Sequence, residues 1–145
     1  MSDISASELL AWFQSECGSY WTQMRNCLHY YSPNHPNPYH LENDCLSHTL
    51  MVLKNAENWN NQDIIGNCAA LFHDLGKIYT REERHETNRV AFINHEQLSY
   101  FHSIAILNKL EKSGLVQLNN FDKQDILSVI SLHGTMYDVV DVTGI

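Results

Sequence analysis

The 145-residue sequence is poor in positive charge: 9 Lys and Arg stand against 17 Asp and Glu, a formal net charge of −8. A broad basic face for duplex DNA or other nucleic-acid duplexes is therefore not expected. No apolar run approaches the ~20 residues needed to cross a bilayer. The opening Met-Ser-Asp-Ile-Ser-Ala-Ser-Glu has neither the basic nor the apolar region of a secretory leader. The four cysteines (Cys17, Cys27, Cys45 and Cys68) include no C-x-x-C pair, so they fit neither a small disulfide scaffold nor a zinc finger. Scattered thiols in an acidic chain suit a reducing compartment, and the expectation is a soluble cytoplasmic protein. Walker-type glycine loops and G-x-S-x-G are missing too, and no cysteine has an obvious adjacent base.

Sustained two-residue alternation is also missing, so strands are expected to be few or absent. What is present is helical periodicity. Asp3, Ser5 or Ser7 caps a first helix with Leu9, Leu10 and Phe13 on one face, broken at Gly18. A second helix is expected to carry Trp21, Met24, Leu28 and Tyr31. The three prolines, Pro33, Pro36 and Pro38, then make 32–40 an irregular loop. Helical pattern resumes from about Asp44 to Trp59. Asp63 caps a strongly apolar helix with Ile64, Cys68, Leu71 or Phe72, and Leu75, stopped at Gly76. The polar stretch 79–91 reads as a loop. A helix follows from about His95 to Glu111, and Asp122 caps a last one bearing Ile126, Val129, Ile130 and His133. The expected fold is all-α and single-domain over 1–145, with 1–38 a packing segment. Tyr30, Tyr31 and Tyr39 are candidates for a substrate mouth or a subunit contact.

Histidine is the abundant residue: nine, as many as Lys and Arg together. His73-Asp74 lies in the apolar run Ala-Ala-Leu-Phe-His-Asp-Leu-Gly-Lys. Burying both groups is costly without hydrogen bonds or a metal. Adjacent helix positions differ by ~100°, so the pair can bracket one point beside a helix. Lys77, four residues on, can complement a helix dipole or hold an anion there. His48 sits on the preceding apolar helix, and a short linker makes the two helices antiparallel, which brings His48 toward His73 and Asp74. His95 and His102 share a helix face ~10 Å apart, suited to different ends of one site. His133 lies on the apolar face of the last helix, with Asp138 and Asp141 beyond it.

The order His48, His73-Asp74, then a late carboxylate resembles the H…HD…D signature of the HD-domain metal-dependent phosphohydrolase superfamily, over about 39–141. The blocks His40–Thr49, Phe72–Lys77 and Asn94-His95-Glu96 are similar to the HD domains of bacterial CCA-adding tRNA nucleotidyltransferases. They are also similar to those of polynucleotide end-healing kinases and of small phage or bacterial stand-alone relatives. The resemblance implies an HD-type helical bundle with a motif-bearing core over 39–141. It implies that His48, His73 and Asp74 ligate a divalent metal, closed by Asp141 or Asp138. It further implies that His95 and His133 hold a second metal or the substrate phosphate. Lys77 would contact phosphate, and His40 and Glu42 would stand near the mouth of the site. Such a donor set suits Mn, Ni, Co, Fe or Zn, one or two ions, better than Mg. An ion of this kind activates a water as nucleophile, and Asp74, Lys77, His95 and His133 become the catalytic candidates. His40, Glu42, Lys77, His95 and His102 become the substrate-binding ones. The implied activity is hydrolysis of nucleotides or RNA ends: 2′,3′-cyclic phosphodiesterase, 2′-nucleotidase or phosphomonoesterase. The alternatives are a deoxynucleotide phosphatase or triphosphohydrolase, and a non-catalytic nucleotide-binding module. Fusion to, or cooperation with, a nucleotidyltransferase or kinase is implied as well.

Overall fold

A computed structural model describes residues 4–37 and 42–143, with side chains through His133. The elements run α1 (Ala6–Glu16), α2 (Gly18–Asn26), α3 (Cys45–Trp59), α4 (Ile64–Phe72), the single-turn α5 (Lys77–Thr80), β1 (Arg81–Arg84), β2 (Arg89–Phe92), α6 (His95–Lys112) and α7 (Asn120–Thr143). The class is all-α, with one small antiparallel sheet.

Helix starts follow local chemistry. Ser5 caps α1 with a capping box closed by Glu8. Asp44 caps α3 through the Ser47 amide, and Asp63 caps α4 through the Gly66 amide. At α7 the cap is Asn119 rather than Asp122. The Asn119 side chain accepts from the Asp122 amide at 2.8 Å, and Asp122 accepts from the Asn119 amide at 3.1 Å. The expected residue is therefore the third-position partner of the cap.

The core gathers around α4, whose last five residues (Cys68 to Phe72) are all buried, as befits a helix apolar all round. Phe13 of α1 packs on Phe72 with ring centroids 5.7 Å apart. Leu9, Met24, Leu107, Leu110, Ile126 and Ile130 complete the interior. Each such side chain contributes about 1.5–3 kcal/mol by leaving water. All four cysteines are buried and free. Among the described residues no helix is long and apolar enough to cross a membrane.

Two expected elements differ. Helix α2 ends at Asn26, so Leu28 and Tyr31 are not helical. From Cys27 the chain turns extended and pairs with the entry to α3: the His29 amide donates to the Asn43 carbonyl, and the Cys45 amide donates to the Cys27 carbonyl. Arg81 then fastens this stretch, donating to the carbonyls of Leu28 (2.8 Å) and Tyr30 (3.1 Å). The 79–91 loop is instead the end of α5 followed by a hairpin, with Arg81 opposite Phe92 and Arg84 opposite Arg89. Its strands are four residues each, β1 polar and mostly exposed and β2 apolar after Arg89 and mostly half-buried, too short to show a period. Asn88 and Asn94 take positive φ, 54° and 62°, a conformation asparagine tolerates. Asn94 thereby turns the chain from β2 into α6 and sets the position of His95.

Candidate metal centre

His73 and Asp74 do not lie inside a helix. Helix α4 closes at Phe72, and residues 73–76 form the turn into α5. On a turn, two adjacent side chains can face the same point. Two contacts hold it: Cys45 Sγ donates to the Asp74 carbonyl at 3.4 Å, and the Gly76 amide donates to Ser99 Oγ at 2.8 Å. Gly76 does not stop α4; it permits a close crossing. A Cβ there would lie 1.9 Å from the His95 carbonyl oxygen and 2.6 Å from the Ser99 amide, so only glycine lets α6 pass this near.

Asp74 is the hub. Its Oδ2 lies 3.4 Å from His48 Nε2, 3.1 Å from His73 Nε2 and 3.2 Å from Lys77 Nζ. Its Oδ1 lies 3.3 Å from His95 Nε2 and 3.2 Å from His133 Nε2. Burial pushes the Asp74 carboxyl up, but the neighbouring His73 and Lys77 charges and the His133 and His73 hydrogen bonds outweigh it and hold it well below the ordinary carboxyl value.

The opposite nitrogens of the four imidazoles all face oxygens that only accept. His48 Nδ1 is 2.9 Å from Glu42 Oε1, and His73 Nδ1 is 2.7 Å from the Ala70 carbonyl. His95 Nδ1 is 2.9 Å from the Phe92 carbonyl, and His133 Nδ1 is 2.6 Å from the Ile130 carbonyl. Each Nδ1 therefore carries a proton, so Nε2 is the atom turned to Asp74: it donates to the carboxylate when the ring is protonated and offers its lone pair to a cation when the ring is neutral. Burial pushes the pKa of His48 down; Asp74 and Glu42 only partly offset this. For His133 burial is outweighed by the hydrogen bond and charge of Asp74, and its pKa rises. His95 Nε2 and His133 Nε2 are 2.9 Å apart. Two lone pairs that close, both beside Asp74 Oδ1, repel unless a proton or a cation lies among them.

This donor set fits divalent metal. His48, His73 and Asp74 offer ligand atoms within 4.8 Å of one another, and so do Asp74, His95 and His133. Asp74 belongs to both groups and presents a different oxygen to each, an arrangement that accommodates one ion or a bridged pair. Nitrogen-rich mixed donors of this kind suit a first-row transition ion.

A family model described as HD domain matches residues 45–140, about two-thirds of the chain. The chain belongs to the HD domain family. No curated protein and no solved structure matches it. The HD domain is generally a metal-dependent hydrolase, and the His/Asp cluster fits that character.

The residues singled out from sequence fare differently. His48, His73, Asp74, Lys77, His95 and His133 converge. Glu42 stands behind His48, its carboxylate on Nδ1, where it orients a ring. His102 does not join the cluster: its Nδ1 is 2.8 Å from the Tyr20 hydroxyl, and its ring stacks on Tyr79 at 4.2 Å. His40, Asp138 and Asp141 lie outside the described residues or side chains. Tyr30 and Tyr31 line a separate cavity of about 360 Å³ beside Arg89, and Tyr39 falls outside the description.

One residue of the HD domain's surroundings escaped the sequence reading. His29, 1% exposed, comes from the N-terminal segment taken only as packing. Its Nδ1 donates to the Glu42 carbonyl at 3.0 Å, so its Nε2 accepts from Lys77 Nζ at 3.3 Å. Lys77 is thus buried between Asp74 and His29, 5.3 Å from the centre of the Phe92 ring. Nothing in the spacing around His29 marks it. Its role comes from the extended pairing of 27–29 with 43–45.

Proposed function

We propose that this HD domain is a metal-dependent phosphohydrolase acting on nucleotides or RNA ends, as a 2′,3′-cyclic phosphodiesterase, 2′-nucleotidase or phosphomonoesterase. The observation that carries the reading is Asp74, with each carboxylate oxygen facing two imidazole Nε2 atoms. His48, His73 and Asp74 would hold one ion, and Asp74, His95 and His133 a second. Bound there, a divalent ion supplies an acidified water and a Lewis acid for a phosphoryl oxygen.

The chain's own residues do the rest. In a protein of net charge −8 an anion needs a local positive focus, and Lys77 Nζ supplies a buried fixed charge at Asp74. With one ion held by His48, His73 and Asp74, His133 Nε2, 3.2 Å from Asp74, would be free of metal to hold a proton and pass it to a departing oxygen; with a second ion bound, His133 would serve as its ligand instead. The choice of RNA ends rests on the likeness of His40–Thr49, Phe72–Lys77 and Asn94–Glu96 to the HD modules of CCA-adding enzymes and end-healing kinases. That likeness also supports a partnership with such an enzyme.

Hydrolysis products should be screened over nucleoside mono-, cyclic and triphosphates with Mn²⁺, Co²⁺, Ni²⁺, Fe²⁺ and Zn²⁺. The expected result is ring opening of cyclic phosphates to monophosphates, or phosphate release from monophosphates, that needs the ion and is lost in His73→Ala. His73→Ala is the cleaner probe, because Asp74→Ala also strands the buried Lys77 ammonium. Tri- or pyrophosphate release from deoxynucleotides would favour the triphosphohydrolase. Undiminished turnover in His73→Ala would refute the site.

A further inference from the structure

One flank of the metal centre opens into a cleft of about 730 Å³, within the usual range for small-ligand sites. Its floor is made by the imidazoles of His48, His73 and His133, with His48–His73 and His73–His133 centroids 5.5 and 5.0 Å apart. Its walls are Val52, Asn55 and Ala56 of α3, Ala69 and Ala70 of α4, and Val129 of α7. Among the described residues no lysine, arginine, aspartate or glutamate lines it, and the sequence beyond His133 holds no lysine or arginine. The small residues of α4 keep it open, and Asn55, exposed at the rim, offers a side-chain amide that can both donate and accept.

Charge decides what such a cleft admits. Along its walls a di- or triphosphate tail would leave water without a lysine or arginine to meet it, so its charges would go uncompensated. A neutral planar group would instead bury its faces against alanine and valine, and could meet the Asn55 amide with a polar edge. The cleft meets the metal centre at its floor, so a phosphoryl group drawn to that centre leaves the remainder of its molecule here. Resting on the phosphohydrolase reading for the position of the phosphoryl group, we infer that this cleft seats the neutral, ring-bearing part of a phosphate ester. Val129 and Asn55 then set specificity for single phosphoryl groups on a ring-bearing neighbour, such as a nucleoside.

Binding, measured apart from turnover, tests this. Mn²⁺-loaded protein is titrated by calorimetry with phenyl phosphate, glycerol phosphate and inorganic phosphate. Phenyl phosphate should bind at least about tenfold more tightly than glycerol phosphate, about 1.4 kcal/mol or more. Val129→Trp and Asn55→Trp fill the cleft from exposed positions on opposite walls. Either should abolish the preference while leaving inorganic phosphate affinity within about twofold. Equal affinity for the two esters, or a preference that survives both variants, would overturn the inference. Tight, ring-dependent binding without hydrolysis would leave it standing and sink the hydrolase reading instead.

Discussion

Glu42→Ala is expected to weaken divalent-ion binding without unfolding the protein. Glu42 Oε1 accepts from His48 Nδ1 at 2.9 Å, and its side chain is 18% exposed. A hydrogen bond to a charged group is worth about 1.5–3 kcal/mol, or about 12- to 150-fold in an equilibrium constant. Water contact at Glu42 trims the upper end, which leaves about 10- to 100-fold, the range found when partners behind metal ligands are removed. The direction follows from basicity. Burial already makes His48 a poor base, and Asp74 and Glu42 partly restore it, so loss of Glu42 leaves a weaker donor that has lost this orienting acceptor. The Glu42 carbonyl that receives His29 survives in alanine. Glu42→Gln keeps an acceptor without the charge and should fall between the two. Calorimetric titration with Mn²⁺, with circular dichroism as the fold control, reads the effect. Wild-type affinity in Glu42→Ala would refute the idea that this carboxylate orients a ligand.

Two further outcomes are expected. Gly76→Ala places a methyl group 1.9 Å from the His95 carbonyl oxygen, against backbone that cannot rotate away. It should destabilise by about 3 kcal/mol, the top of the usual overpacking range, and displace His95. A urea midpoint equal to wild type would contradict this. Asp74, held below its ordinary value, contributes stability above the unfolded carboxyl pKa of about 3.9, and that contribution fades as pH falls through the folded value. The metal-free wild type's urea midpoint should therefore converge on that of Asp74→Asn on acidification below about pH 4, and a gap independent of pH would refute the assignment.

Helix cores were plain in the sequence because burial and 3.6-residue spacing coincide, as at Leu9 and Phe13 or Ile126 and Ile130. The histidine cluster was legible for the same reason: His48, His95 and His133 sit on helices whose inward faces the apolar residues define. What stayed hidden depended on contacts between distant backbone segments. Tyr31 continued the period of α2, but Arg81, fifty residues on, holds the adjoining carbonyls in an extended pairing. In the β1–β2 hairpin one strand is all charged and the other has three apolar residues in a row, so neither shows the alternation that would reveal it. His102 shared a helix face with His95, yet seven positions carried it to Tyr20 and Tyr79 instead. Lys77 was expected at the site, and the fold sets its ammonium between Asp74 and His29, a neighbour that no spacing announced.

The four imidazoles arrive from α3, the turn after α4, α6 and α7, stretches that meet nowhere in the linear chain. A cation shared among them would act as a rivet through the middle of the bundle, closing loops of up to 85 residues between His48 and His133. Heat tolerance would then track ion supply, since whatever binds only the folded chain stabilises it by mass action. A chelator would loosen the scaffold as well as silence the chemistry.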